Sequence, residues 1–280
     1  MDIYATANYE DLTTRNLDIL NNFIAAPDLI LTRKKYPFTS FNFKEETIAE
    51  SEFNFPKNAV LGMQAEACFK AFLNSSKNYS LLAANLQINT EKETLGELDY
   101  IVQDCKTQEV IHIELACKFY LFDKNNGACD EKKWIGPNRK DTLFDKLEKV
   151  KFKQFPLLNK AATIEKLKSL KIEIPTTQQL CIKAFFFIPK EINSDQFPKN
   201  IAECIMGHFI NYDEFRNEVA TAVYAMPTKK EWLLPIANIL NWYSFSEISE
   251  KVALQIRNNK SPLIYKKTPN KVERLFVVWW

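Results

Sequence analysis

Four side chains near the middle of this 280-residue chain have types and spacings suited to chemistry: Glu66, Asp99, Glu114 and Lys118. Strand alternation over 109–119 places His112, Glu114, Ala116 and Lys118 on one face. The other face is wholly apolar, with Ile111, Ile113, Leu115, Cys117 and Phe119. The same rule over the preceding segment puts Glu97 with Asp99, opposite Leu98, Tyr100 and Val102. If the two segments pair as a hairpin, Asp99, Glu114 and Lys118 share one side of a sheet. Glu66 is the only carboxylate between Pro56 and Lys77. It falls on the helical stripe of Gly62, Met63, Phe69 and Leu73, where an acid is costly unless compensated. Two converging carboxylates ~4 Å apart repel by about 4 kcal/mol at a surface-like dielectric. A divalent cation turns that repulsion into binding, and oxygen donors with few histidines favour Mg²⁺ or Mn²⁺ over zinc. With a lysine nearby to hold an attacking water or meet phosphate charge, the set suits metal-assisted phosphodiester hydrolysis.

The elements that must position these groups follow from periodicity. A helix is expected over 10–25, with Thr13, Thr14 or Asn16 near its start, and a polar loop from Thr32 to Pro56. Asn58 is placed to cap a helix reaching about Leu73. Strands are expected at Ser80–Ile88, Leu95–Gln103 and Glu109–Leu121, the last two as a hairpin. A helix follows at about 142–155, with Leu143, Leu147, Val150 and Gln154 inward and Pro156 as its stop. Another helix is expected over 160–170, then an apolar strand over Gln179–Ile188. Beyond lie a helix near 211–219, a strand at 221–226, a helix at 247–258 with Ser246 as cap, and strands near 262–266 and 272–279. The reading is mixed α/β. It divides into an N-terminal helix and loop region (1–56), a core (57–190) and a C-terminal α/β extension (191–280). The terminal Phe276-Val277-Val278-Trp279-Trp280 is expected as a buried edge strand; exposed, the two tryptophans would make an association patch.

Composition excludes other chemistries. Apolar residues are 46% and charged residues 26%, which fits a folded chain rather than a disordered one. With five glycines there is no G-x-G-x-x-G fingerprint and no phosphate-cradling P-loop. Two histidines, His112 and His208, are too few for a His-rich zinc site and argue against a serine-type triad. The six cysteines form no C-x-x-C and are expected as small buried hydrophobes in a reducing, cytoplasmic setting. No signal-peptide pattern and no membrane-spanning run is expected.

Gly96-Glu97-Leu98-Asp99 with Ile113-Glu114-Leu115-Ala116-Cys117-Lys118 resembles the core motif of the PD-(D/E)XK nuclease superfamily. More of the chain resembles a bacterial family labelled domain of unknown function 1853. That likeness runs through Thr94–Asp99, His112–Leu121, Trp134-Ile135-Gly136-Pro137-Asn138 and Glu273–Val278. The superfamily resemblance implies a restriction-endonuclease-like αβββαβ core with a mixed central sheet. It also implies Asp99 and Glu114 as metal-binding acids, the Leu115 backbone carbonyl as a further ligand, and Glu66 as the acid of the first core helix. Lys118 would be the catalytic lysine, and Gln154 matches a glutamine on the following helix of RecB-like members. One departure is plain: Ala116 stands where the E-x-K pattern has lysine, and Lys118 is two residues on, about 6.6 Å along the strand. Lys146 on the next helix is the alternative cation.

Net charge is only +2, yet Lys132 to Lys171 holds twelve basic and four acidic residues. Lys146, Gln154, Arg139, Lys140 and Lys149, with Trp134 and Phe152 interleaved, are therefore candidates to hold a nucleic-acid strand, DNA favoured. Glu97 and His112 are subsidiary candidates at the acids. The expectation is a Mg²⁺- or Mn²⁺-dependent nuclease. The alternatives are an inactive nuclease-like module that binds nucleic acid or protein, and a structural or toxin-system partner docking through its tryptophan-ended C-terminus.

Overall fold

The computed structural model describes residues 15–31, 36–41, 43, 55–56, 59–218 and 221–280. The expected caps Thr13, Thr14 and Asn58 lie outside these residues, as does most of the 32–56 loop. Within them the chain is mixed α/β, built on one ten-stranded mixed sheet.

Helix α1 covers residues 15–25, with Asn16 inside it. Strand β1 (Thr39–Ser40) is followed by α2 (Leu61–Ser75), β2 (Tyr79–Asn89), β3 (Thr94–Asp104) and β4 (Val110–Phe122). The short β5 (Trp134–Ile135) precedes α3 (Leu143–Lys149), a π-turn (Val150–Gln154), α4 (Phe155–Leu157) and α5 (Ala161–Ser169). Strand β6 (Thr177–Pro189) completes the order helix, three strands, helix, strand. The C-terminal part supplies α6 (Lys199–Ala202), β7 (Ile205–Asn211), α7 (Tyr212–Arg216), β8 (Val223–Ala225), α8 (Phe245–Arg257), β9 (Leu263–Lys267) and β10 (Val272–Val278).

The sheet order is β2-β3-β4-β6-β7-β10-β9-β8, with β1 added to β6 and β5 to β4. The β2-β3-β4 unit is antiparallel, β4-β6-β7-β10 is parallel, and β10-β9-β8 is antiparallel again. Central β4 is covered on both faces. One face packs Ile111, Ile113, Leu115 and Phe119 against α1 and α2 through Phe23, Phe69 and Phe72. The opposite face packs Ala116 and Tyr120 against Leu147, Val150 and Phe155.

Several boundaries differ from expectation for local reasons. Helix α2 begins at Leu61 after Val60, which makes no side-chain cap. Pro156 does not stop the helix at 155: it follows directly on the π-turn, and helix continues to Leu157. Helix α8 is capped by Ser244 through a capping box with Glu247, not by Ser246. Strand β10 is interior, between β7 and β9, rather than an edge. Strand β7 was not expected at all. Gly207 stands there because a Cβ would fall 2.3 Å from the Arg274 carbonyl oxygen. Of the cysteines, all free, Cys68, Cys181 and Cys204 are buried, Cys117 and Cys129 are half-buried, and Cys105 is exposed. Among the described residues no helix is long and apolar enough to cross a membrane.

Candidate functional site

The β3–β4 ladder runs from Gln103↔Val110 to Tyr100↔Ile113 and ends. The next opposed pair in that register is Asp99 and Glu114. Like charges directly opposite destabilise a pairing, and here the strands part. Asp99 Oδ2 accepts the Leu115 main-chain N–H at 2.9 Å, taking the place of a strand bond. The N–H and C=O of one strand residue project to the same edge, so the Leu115 carbonyl also faces this gap.

Glu114 is fully buried. Its Oε1 lies 3.0 Å from His112 Nε2, and its Oε2 accepts from the Gln154 amide. The amide of Gln178, paired with His112 across β4 and β6, donates to His112 Nδ1 at 3.1 Å and to the Phe155 carbonyl at 2.9 Å. With Nδ1 accepting, Nε2 carries the proton and donates to Glu114. Burial pushes His112 down to about 4, so the ring is neutral at physiological pH. Burial, then the Glu114 charge, raises Asp99 to about 7. Burial also raises Glu114 to about 7, against the opposing pull of Lys146. The two carboxyls thus hold protons far more tightly than ordinary acids.

The cation facing them is Lys146, not Lys118. Lys146 Nζ donates to Gln154 Oε1 at 3.0 Å, and Gln154 donates on to Glu114. Burial lowers its affinity for a proton, while Glu114 and Asp99 act to restore it. The π-turn makes this contact. In an ideal α-helix, residues eight apart are about 80° out of line. The turn closed by Phe155 N–H on the Val150 carbonyl inserts about one residue's rotation, bringing Gln154 under Lys146. Lys118 is on the expected face but is spent elsewhere, with Nζ 2.7 Å from Asp141 Oδ2. Gly136 makes room for that acid, since a Cβ there would lie 2.3 Å from Asp141 Oδ1.

Glu66 is on the solvent side of α2 rather than within its apolar stripe. Burial by its neighbours, then the charges of Asp99 and Glu97, raises its carboxyl, and an Asn85 hydrogen bond lowers it. Asn85, in the left-handed region at φ 51°, also donates to Glu97 at 3.1 Å. Glu66 and Glu97 therefore form the outer end of an acidic arc whose inner end is Asp99 and Glu114. Among the described residues no three His, Cys, Asp or Glu side chains come close enough to hold a metal ion together. Trp134 is buried and stacked on Phe186, with ring centroids 4.1 Å apart, so it packs the core and does not offer a face to a base. The exposed aromatic of the basic segment is Phe152, between Lys151 and Lys153 on the π-turn. Lys140 and Lys149 are exposed. Arg139 pairs with Asp123 at 2.9 Å and lies over the Trp280 ring at 4.7 Å. Gln178 and Asn85 were not singled out from sequence. The His112↔Gln178 register would have flagged the first, but it exists only once β4 and β6 are paired.

Fold and site together define a mixed α/β protein in which two acids and a half-buried lysine meet where neighbouring strands of the central sheet separate. The chain belongs to the family described as domain of unknown function, DUF1853, whose model matches residues 33–278. No curated protein and no solved structure matches the chain. The Trp134–Asn138 stretch of the family likeness is held by the C-terminal part of the chain. Trp280 Nε1, just after β10, donates to the Pro137 carbonyl at 3.1 Å, and Asn138 Oδ1 accepts the Ser261 N–H at 2.8 Å.

Proposed function

We propose that this chain is a metal-dependent nuclease of the PD-(D/E)XK type. It would have a restriction-endonuclease-like core over 57–190 and hydrolyse phosphodiester bonds of nucleic acid, DNA favoured. The observation that carries the reading is the Asp99–Glu114 contact at the parting of β3 and β4, faced by half-buried Lys146. Once both acids ionise, two carboxylates against one lysine leave a negative excess in a poorly solvated gap. The donors are hard oxygens: two carboxylates and the Leu115 carbonyl. Such a set suits Mg²⁺ or Mn²⁺, which keep several waters and need only one or two protein carboxylates. Glu114 would release Gln154 to take part, and Glu66 would act from the rim. A cation held there would supply Lewis-acid polarisation of a phosphoryl oxygen. Lys146 takes the part first given to Lys118, positioning an attacking water or meeting charge on the phosphate. Lys149, Lys151, Lys153 and Phe152 would hold the strand outside.

A second reading is a non-catalytic module on the same fold. It is favoured by one observation: both Glu114 oxygens are engaged, by His112 and Gln154. Cleavage of labelled single- and double-stranded DNA and RNA in Mg²⁺, against a chelator control, decides between them. The nuclease reading expects metal-dependent cleavage reduced at least 100-fold by Asp99→Asn, Glu114→Gln or Lys146→Ala, with Lys118→Ala affected less. Cleavage indifferent to the first three would assign the activity elsewhere, and none in the parent supports the module.

A further inference from the structure

Next to the acids, along β4, lies a cavity of about 520 Å³ between the Gly136–Asp141 loop and segments 226–232 and 260–263. Its position follows from the same strand separation. From Ile113, the last residue paired with β3, to Leu121, paired with β5, that edge of β4 has no strand partner among the described residues. Alternation turns the main-chain N–H groups of Cys117 and Phe119 toward this edge, as it does that of Leu115. Lys118, Lys229 and Lys260 line the cavity against the single carboxylate of Asp141. Trp232 supplies a half-buried aromatic wall, packed on Phe119 at 4.8 Å. Ser261 lines it as well, is 4% exposed, and its Oγ meets no hydrogen-bond partner among the described residues. A buried hydroxyl without a partner is costly and calls for an explanation.

We infer that this cavity is a strand-holding subsite, in which the lysines, the β4 edge and Ser261 Oγ receive a phosphate of an unpaired nucleic-acid strand and Trp232 flanks its base. The inference rests on the proposed nuclease reading for its choice of ligand. Lys118 lies four residues beyond Glu114 on the same strand face, about 13 Å away, so a strand seated here is in reach of the acids. The Lys118–Asp141 pair opens on binding, with the phosphate replacing Asp141 as partner. The site also gives Lys118, displaced from the superfamily position, a use of its own.

The test is fluorescence anisotropy of a labelled single-stranded oligodeoxynucleotide in chelator, where no cleavage occurs, with Mn²⁺ binding to each protein measured separately by calorimetry. The double variant Lys229→Glu, Lys260→Glu is expected to bind at least tenfold more weakly while taking up Mn²⁺ as the parent does. Ser261→Ala, which removes only the unpartnered hydroxyl, is expected to weaken binding several-fold with an unchanged circular dichroism spectrum. A double variant that binds within twofold of the parent overturns the subsite, as does a free mononucleotide that competes as well as the strand. If the parent takes up no Mn²⁺ but the double variant still loses the oligonucleotide, the subsite stands and the nuclease reading falls.

Discussion

Two lysines lie on opposite sides of the sheet, one fully buried and one half-buried, and their surroundings differ in kind. Lys183 on β6 is fully buried on the α1 side. Its Nζ reaches Asp28 at 3.1 Å, the Ile24 and Ala26 carbonyls at 3.0 and 2.8 Å, and lies 4.0 Å from the Phe43 ring centroid. One cation meets one carboxylate, and its three donors have acceptors. Lys146, on the other side of the sheet, faces two acids and reaches them through Gln154. The first arrangement matches one cation to one carboxylate and ties the segment after α1 to the sheet. The second, once both acids ionise, leaves negative charge over, at a gap that opens beside a cavity. Burial of a lysine therefore does not mark a site. What distinguishes the second is that its charges do not balance.

Breaking the balanced pair should have the largest effect. Lys183→Met leaves the Asp28 carboxylate and two carbonyls without their donor, and should cost about 3–5 kcal/mol in urea unfolding. Divalent cations should not restore it. Trp280→Ala removes the Pro137 hydrogen bond and the Arg139 stack, and should cost about 1–2 kcal/mol on the same measurement. Asp99→Asn should act in the opposite sense. It keeps an acceptor for the Leu115 N–H and removes the repulsion, so metal-free protein at pH 8 should be stabilised by about 1–2 kcal/mol.

The pH dependence sharpens the contrast. Asp99 and Glu114 have folded values raised above those of the unfolded chain, so the folded state binds more protons between about pH 4 and 7. Their contribution is fully present below pH 4 and is lost as pH rises through about 7. His112 is shifted down, so its contribution is lost as pH falls from about 6.5 to 4 and blunts the carboxyl slope there. Metal-free protein should therefore lose stability from pH 5 to 8 by thermal or urea unfolding, and the difference between parent and Asp99→Asn should grow over the same range. A parent and variant that change in parallel would mean the pair does not hold its protons as described.

Much of the acid pair was legible. Alternation along two consecutive strands was enough to put Asp99 and Glu114 on one side of the sheet; that they stand directly opposite comes from the register of the pair. Alternation also put Lys118 on the correct face, but not its partner: Asp141 comes from a loop whose path strand periodicity does not encode. The approach of Lys146 depends on a π-turn that a 3.6-residue period does not reveal. Strand β7 escaped because Gly207 and His208 interrupt its apolar run, and the glycine is there for the neighbouring strand β10, far away in sequence. Trp134, in a basic stretch, was open to two roles from sequence, stacking on a base or packing its loop against the core. Its burial is decided by Phe186, fifty-two positions on and reached only through β4–β6 pairing.

Calorimetric titration of metal-free protein with Mn²⁺ at pH 7.5, on the parent and on Asp99→Asn, tests the charge imbalance most directly. One ion should bind the parent saturably, with protons released because the carboxyls must ionise, and none should bind the variant. A parent that takes up no Mn²⁺, or a variant that binds it equally well, would contradict it.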